Sequence, residues 1–395
     1  MGYFLVISCV FPPEPVVSAS LSHDIAQRIC RVAKEVVVIS PRPSRPENYV
    51  FPKVFAELPF VHITIDSHVC PQSKLLGRIR ESISFGRATY KYIKRHRDDI
   101  DVIYANTWPL FAQYYLAKAA LKYGKPYYIH IQDIYPESYC YKMPKYLRRL
   151  FFGLLFPIDK YVLRKAKGVF AISPAMKSYL SKSRRLVDSK VILVRNWQDD
   201  KAYIDAYLPI EKKHRKTDIM YLGSINPTAN VSLIIQAFSG LDKDKYHLSI
   251  IGSGPEKQHC MEIAKQLGID ASFASVTPDQ VARKQSEADV LVLCLKKGVA
   301  RTATPSKLTA YMFSGRPIVA SVDLDSDCAK IILEAGCGIV VEPEKKDALC
   351  DAIKTITEKG IDELNNLGKS AFEYAKNHLS KESNLSLLVN TLLST

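Results

Sequence analysis

Short uninterrupted apolar runs, each the length of a buried strand, alternate along this chain with stretches in which apolar residues recur every three or four positions. The first run, Tyr3–Val10, is followed by Leu21, Ile25, Ile29 and Val32, which mark one helical face. Further strands are predicted at Glu35–Ser40, His62–Ile65, Asp101–Ala105, Tyr127–Gln132, Gly168–Ile172 and Lys190–Val194. Apolar strands separated by helices imply βαβ units and a parallel sheet. The stretch Arg195–Lys216 breaks the pattern with mixed charge and no periodicity. A second series begins at Asp218–Leu222 and continues through His247–Ile251, Ala271–Ala274, Asp289–Leu295, Pro317–Ser321 and Gly338–Val341. Its helices are predicted at Val231–Phe238, Pro255–Leu267, Pro278–Ser286, Pro305–Ser314 and Ser326–Ala335, and Lys381–Leu393 closes the chain. The pattern predicts an α/β protein of two Rossmann-like domains facing across a cleft, 1–205 and 206–379.

Composition narrows the class. The 395 residues are 47% hydrophobic and 24% charged, which excludes disordered, collagenous and disulfide-stapled chains. The longest uninterrupted apolar run, Leu150–Ile158, contains a glycine and a proline and falls well short of the roughly 20 residues a membrane span needs. Tyr3–Val10 has no basic lead-in and runs into Phe11-Pro12-Pro13, so it reads as a buried strand rather than a signal peptide, and a cytoplasmic protein is expected. None of the 9 cysteines is spaced Cys-x-x-Cys, and Cys9, Cys30 and Cys294 sit in apolar patterns as small hydrophobes. No Cys/His cluster suggests a metal.

The formal charge of +15 is concentrated in two places. Lys74–Arg97 and Lys142–Lys167 each carry eight basic residues against one acid, Glu81 and Asp159 respectively, so each is +7 and together they hold +14. In the first, Leu75, Ile79, Ile83, Tyr90 and Ile93 recur at helical spacing; in the second, Leu147, Leu150, Phe151, Leu154, Leu155 and Phe156 lie among Arg148, Arg149 and Lys160. Basic amphipathic helices with aromatics are the composition of an interfacial segment on anionic membrane, the alternative being an ordinary solvated basic face. No nucleic-acid motif accompanies the charge, so nucleic acid is not an expected partner.

Open parallel sheets bind ligands at the carboxyl ends of their strands, so the strand-to-helix loops are where chemistry is expected. In Thr304-Pro305-Ser306-Lys307-Leu308, Thr304 is a good N-cap and Pro305 suits the first helical position. Ser306 and Lys307 then fall in the first turn, where free N–H groups and the helix dipole favour an anion. A lysine there opposes the dipole unless a phosphate is bound beside it. Gly223-Ser224 and Gly252-Ser253-Gly254-Pro255-Glu256 follow two strands of the same half, and neither completes Gly-x-Gly-x-x-Gly, which argues against a dehydrogenase. In the first half, His130-Ile131-Gln132-Asp133 ends a strand, and Asp133 and Glu137 lie where a carboxylate could act as a base or clamp a hydroxyl.

The order of elements, the His130–Glu137 stretch, Ala171-Ile172-Ser173, Asn196-Trp197 and above all Thr304–Ala320 resemble retaining GT-B glycosyltransferases of the bacterial group 1 family. The similarity extends to N-acetyl-L-fucosamine transferases of O-antigen and capsule assembly. The resemblance implies a nucleotide-sugar donor on the C-terminal half, expected in the UDP-linked form. It implies a lipid-linked or growing glycan acceptor on the N-terminal half, no cofactor and no catalytic metal. It also implies a final helix, 380–395, that crosses back to the first domain, and a peripheral place on the inner face of the cytoplasmic membrane. Gly223, Ser306 and Lys307 would line the diphosphate, with Thr304 and Leu308 at the helix terminus and Ser224 and Arg301 among the substrate-binding residues. Ser253, Glu256, Ser275 and Val276 would lie near the nucleoside, and His130, Asp133 and Glu137 would be catalytic, facing the acceptor or the reacting sugar. The family's paired glutamates are replaced by Thr302 and Ala310, and its Arg/Lys pair after the first strand of the second half by Ser224 and Asn230. A nucleotide-sugar epimerase and a catalytically silent binding or scaffold protein are the competing readings.

Overall fold

The computed structural model describes residues 2–32, 35–45, 50–51, 57–71, 75–106, 109–141, 144–197, 200–211, 216–300 and 306–395. The chain forms two compact units, Met1–Asn196 with Asn384–Thr395, and Trp197–Ser383. Sequence periodicity set the divisions at 205/206 and 379/380, where the regular pattern stops and resumes. The structure sets them at the residues where packing partners change.

The first unit is built on a seven-stranded sheet of β1 (Tyr3–Ser8), β2 (Val36–Ser40), β3 (Val61–Thr64), β4 (Ile100–Asn106), β5 (Tyr127–Ile131), β6 (Gly168–Ala171) and β7 (Val191–Leu193). Every pairing is parallel and the order is β3-β2-β1-β4-β5-β6-β7. Its helices are α1 (Val17–Val32), α2 (Leu75–Arg95), α3 (Leu110–Lys122), α4 (Glu137–Tyr141), α5 (Lys145–Lys165) and α6 (Pro174–Arg184). The second unit carries α7 (Lys201–Asp205) and a six-stranded parallel sheet, β8 (Thr217–Leu222), β9 (Tyr246–Ile251), β10 (Ala271–Ala274), β11 (Val290–Cys294), β12 (Ile318–Ser321) and β13 (Gly338–Val341), in the order β10-β9-β8-β11-β12-β13. Around it lie α8 (Val231–Phe238), α9 (Lys257–Gln266), α10 (Val281–Gln285), α11 (Ser306–Phe313), α12 (Asp327–Glu334), α13 (Lys346–Thr357) and α14 (Ile361–Tyr374), and α15 (Lys381–Leu393) ends the chain. Both units are the Rossmann-like α/β domains expected.

The central strands are apolar on both faces because helices cover both, and Leu5, Val6, Ile103, Leu291 and Val292 are wholly buried. Helix starts follow local chemistry: Ser173 Oγ accepts from Met176 N at 3.1 Å with Pro174 at the first helical position, and Ser326 Oγ accepts from Ala329 N at 3.3 Å. The last twelve residues belong to the first unit through specific bonds. Arg195 N donates to Asn384 Oδ1 at 2.8 Å, Arg28 to Ser386 Oγ at 2.8 Å, and Tyr128 Oη lies 2.7 Å from Thr395 Oγ1. Among the described residues, no helix is long and apolar enough to cross a membrane.

In each sheet the strand order reverses once, between β1 and β4 and between β8 and β11. At such a reversal the flanking loops diverge and leave a crevice at the carboxyl ends of the strands.

Candidate functional site

In the second unit the loops leaving β8 and β11 flank this reversal. The first begins at Gly223, and the second leads into α11 and Lys307. Gly223 has φ +152°, and a Cβ built there would lie 2.7 Å from Lys307 Nζ, so only glycine leaves room for the lysine to lie across the turn. Gly252 (φ +152°) leaves β9 in the same way, and a Cβ on it would collide with the Gly223 carbonyl. The two turns are laced together, with Gly223 N donating to Ile251 O at 2.8 Å and Ile225 N to Ser253 O at 2.9 Å.

Lys307 and Tyr311 are four apart on α11 and therefore share a face, which they turn toward β8. Lys307 Nζ donates to Tyr221 Oη and lies 4.1 Å from that ring's centroid, and Tyr221 in turn donates to Ser224 O at 2.6 Å. Tyr311 Oη accepts from Leu222 N at 2.9 Å and donates to Leu222 O at 3.0 Å, fastening the last residue of β8. Leu308, Met312 and Phe313 are buried in the same core cluster as Tyr311, and Ala310 is 6% exposed. Burial pushes the Lys307 ammonium down to about 8, with the nearby Cys294 thiol a smaller opposing influence. A cation held largely out of water with a neutral phenol as partner is poised for an anion that would stabilise its charge.

The expected nucleoside residues gather at the ends of β9 and β10. Ser253 and Ser275 are exposed, Glu256 and Val276 half-buried, and Ser275 Oγ donates to Gly252 O at 3.1 Å. Lys257 Nζ donates to Ser275 Oγ at 3.3 Å, placing beside this edge a second cation that sequence reasoning passed over as an ordinary helix residue. Asp323 was also missed. It is 3% exposed, follows β12, and accepts from Gly298 N at 2.8 and 3.0 Å, anchoring the loop out of β11. Arg301, Thr302 and Thr304 lie outside the described residues, as does the side chain of Ser306, which opens α11.

The three acidic and basic candidates of the first unit separate. His130 is wholly buried at the end of β5, with Nδ1 2.8 Å from Tyr104 Oη and its ring 5.8 Å from that of Phe170. Burial drives its pKa down to about 3, a backbone interaction with Val194 offsetting part of this, and Nε2 makes no hydrogen bond of normal geometry. With its ring enclosed and neutral, His130 supports the end of β5 rather than presenting an exposed base. Glu137 is also engaged. Arg184, wholly buried, grips it with Nη1–Oε1 at 2.6 Å and Nη2–Oε2 at 2.8 Å, and Tyr179 donates to Oε1 at 2.7 Å. Burial alone would raise the Glu137 pKa, but Arg184 and Tyr179 outweigh it and hold the carboxyl below its usual range. Arg184 Nε also pairs with the buried Asp159 at 2.8 Å and Nη2 with Tyr135 O at 2.8 Å. Glu137 is thereby an anchor of the loop after β5, tied by α6 and α5, rather than a free base. Asp133 alone of the three is exposed, and Gln132 beside it accepts from Asn196 Nδ2 at 2.7 Å.

Residues 208–374 match the family described as Glycosyl transferases group 1, and residues 19–201 match Glycosyltransferase Family 4. Each half of the chain thus matches a glycosyltransferase family model, the second half that of group 1. The chain is 24% identical over 296 residues to Probable glycosyltransferase WbjE of Pseudomonas aeruginosa, covering 69% of this chain and 70% of that one. Its fold is that of Anabaena HepE, solved in complex with UDP, at 15% identity and TM-score 0.68 with all of both chains covered, and solved also with UDP-glucose. The lipopolysaccharide outer core galactosyltransferase WaaB is similar at 15% identity and TM-score 0.67, over 100% of this chain and 99% of that one. The fold is thus that of GT-B proteins.

Proposed function

We propose that this glycosyltransferase moves a sugar from a UDP-linked donor, with retention at the anomeric carbon, to a lipid-linked or growing surface-polysaccharide acceptor. The observation that carries the reading is the seat of Lys307 against Gly223 and Tyr221 where the second sheet reverses its order. In this reading the donor diphosphate lies over the Gly223 turn and the start of α11, where Lys307 and free backbone N–H groups meet its charge without a catalytic metal. As the bond from anomeric carbon to β-phosphate oxygen breaks, negative charge grows on that oxygen, and a fixed ammonium stabilises it. The acceptor hydroxyl forms the new bond on the face the phosphate leaves, and its proton passes to the departing phosphate. In this reading Asp133, exposed just after β5, faces the acceptor.

The donor sugar in this reading is an N-acetylated 6-deoxy sugar. A glutamate at 310 would offer a carboxylate to donor hydroxyls, whereas Ala310 is small and apolar and suits a donor with less oxygen there. The relatives support a UDP donor through HepE and a surface-glycan acceptor through WaaB. A lipid-linked acceptor would bring the protein to the inner face of the cytoplasmic membrane for O-antigen or capsule assembly.

Incubation with UDP-linked sugars and a lipid-linked acceptor tests this. A product of unchanged anomeric configuration, with UDP released only when acceptor is present, is expected. An inverted product would refute retention, and UDP released without acceptor would point to epimerase-like chemistry.

A further inference from the structure

The two basic segments, alike in sequence, fold to different ends. On α2 a single large apolar side chain among the described residues, Leu76, is exposed (80%), and the helix is otherwise spent on packing. Ser82, Phe85, Thr89 and Ile93 are buried, Ser82 Oγ accepts from Ala112 N at 3.1 Å, and the outward residues Arg87, Lys91, Lys94 and Arg95 form a solvated charged face. On α5 only the inward residues, such as Asp159, Val162 and Leu163, are consumed by the fold. Tyr146 (80% exposed), Leu150 (60%) and Leu154 (62%) follow one another at four-residue spacing. Tyr161 (40%) continues the stripe two turns on. Among the described residues, no other helix exposes more than two large apolar side chains. Scattered exposed apolar residues need no explanation, but a continuous stripe does.

Charge beside the stripe says what covers it. Arg149, Arg164 and Lys165 are exposed on the same helix, and Lys190 Nζ donates to Arg164 O at 2.7 Å, adding a further cation to its carboxyl end. The Lys190 pKa is lowered by burial and by Arg164 and Lys165, as expected of cations crowded with no anion between them. An apolar protein partner would leave these charges facing dry surface, whereas an anionic bilayer offers acyl chains to the stripe and headgroup phosphates to its flanks.

We infer that α5 is the membrane-docking element, inserting Tyr146, Leu150, Leu154 and Tyr161 among the acyl chains of an anionic bilayer. In this arrangement α2 contributes only long-range attraction. The inference deepens the proposed use of a lipid-linked acceptor, but docking is measured with neither donor nor acceptor present, so either idea can fail without the other.

The test is co-sedimentation of the full chain with vesicles of phosphatidylcholine, with and without phosphatidylglycerol. The wild type should bind only the anionic vesicles, more weakly as salt rises. The pair Leu150→Ser, Leu154→Ser should weaken binding by about tenfold to a hundredfold, because two leucines lose their apolar seat. UDP affinity should be unchanged, which checks the fold. The triple Arg87→Gln, Lys91→Gln, Lys94→Gln should weaken binding by less. A single Leu150→Trp variant should show a blue-shifted emission, quenched by brominated lipid, on anionic vesicles. Absence of binding by the wild type, equal binding by the leucine pair, or an unshifted emission from the Leu150→Trp variant would overturn the inference. A wild-type dimer abolished by the leucine pair would overturn it in favour of a second copy of this chain.

Discussion

The ammonium of Lys307 rests on the hydroxyl of Tyr221, which is itself fixed because its proton goes to the Ser224 carbonyl at 2.6 Å. Lysine is a flexible point charge on a four-carbon stem, and a firm hydrogen-bond partner restricts where that charge can go. The phenol thus parks the cation beside the Gly223 turn before any ligand arrives, so little ordering remains to be done on binding.

Gly223→Ala should disrupt this arrangement first. The new methyl group would meet Lys307 Nζ at 2.7 Å on a backbone of φ +152°. Strain of this kind costs on the order of 1–3 kcal/mol, and relieving it displaces the lysine. A lowered thermal midpoint and a raised KM for the donor are expected together in steady-state kinetics.

The pH dependence follows from the Lys307 pKa of about 8. Unfolded lysine titrates near 10.4, so between about 8 and 10.4 the unfolded chain binds more protons and this residue adds stability as pH rises. A bound diphosphate should push the pKa back up. UDP binding near pH 8 should therefore take up roughly half a proton, and affinity should fall as pH climbs above 8. Calorimetry in buffers of different ionisation enthalpy measures the uptake directly.

Arg184→Leu should destabilise the first unit. It would leave the buried Asp159, 2% exposed, and the Glu137 carboxylate without their shared cation. Removing one partner of a buried pair costs about 3–5 kcal/mol. Denaturant unfolding should show that loss, while Glu137→Gln, which keeps the shape and loses only charge, should cost less.

Donor choice tests the reading of Ala310. In competition, a UDP-linked N-acetylated 6-deoxy sugar should outrun UDP-glucose, and Ala310→Glu should narrow the gap. A site lacking a polar partner discriminates weakly, so a ratio of about 10–200 is expected. A wild-type preference for UDP-glucose would mean that another residue reads the hydroxyls.

Much of the fold was legible because buried parallel strands are unbroken apolar runs. Ala271–Ala274 and Gly338–Val341 coincide with the reading residue for residue, and other strands shift by one or two positions at their ends. Lys307 stands out in the sequence because a cation in a first helical turn contradicts the dipole. Tyr221 was not, since within Asp218–Leu222 an aromatic looks like one more core residue. Glu137 was misread because its partner, Arg184, stands 47 residues away. Spacing places a carboxylate at a strand end and is silent about what pairs with it. His130 was misread for a related reason: alternation assigns a face, and only the neighbouring Tyr104 and Phe170 show that the face is closed. The two basic helices differ for the same cause, since periodicity reveals an apolar stripe without its cover.

The most direct test of the account is calorimetric titration of UDP into the wild type and the Lys307→Ala variant at pH 7. A charge-assisted contact to phosphate is worth about 1.5–3 kcal/mol, so affinity should fall by about tenfold to a hundredfold. Thermal stability of the free variant should be unchanged or higher, because a buried charge has been removed. Equal UDP affinity in a folded Lys307→Ala variant would contradict the account and move the diphosphate away from α11.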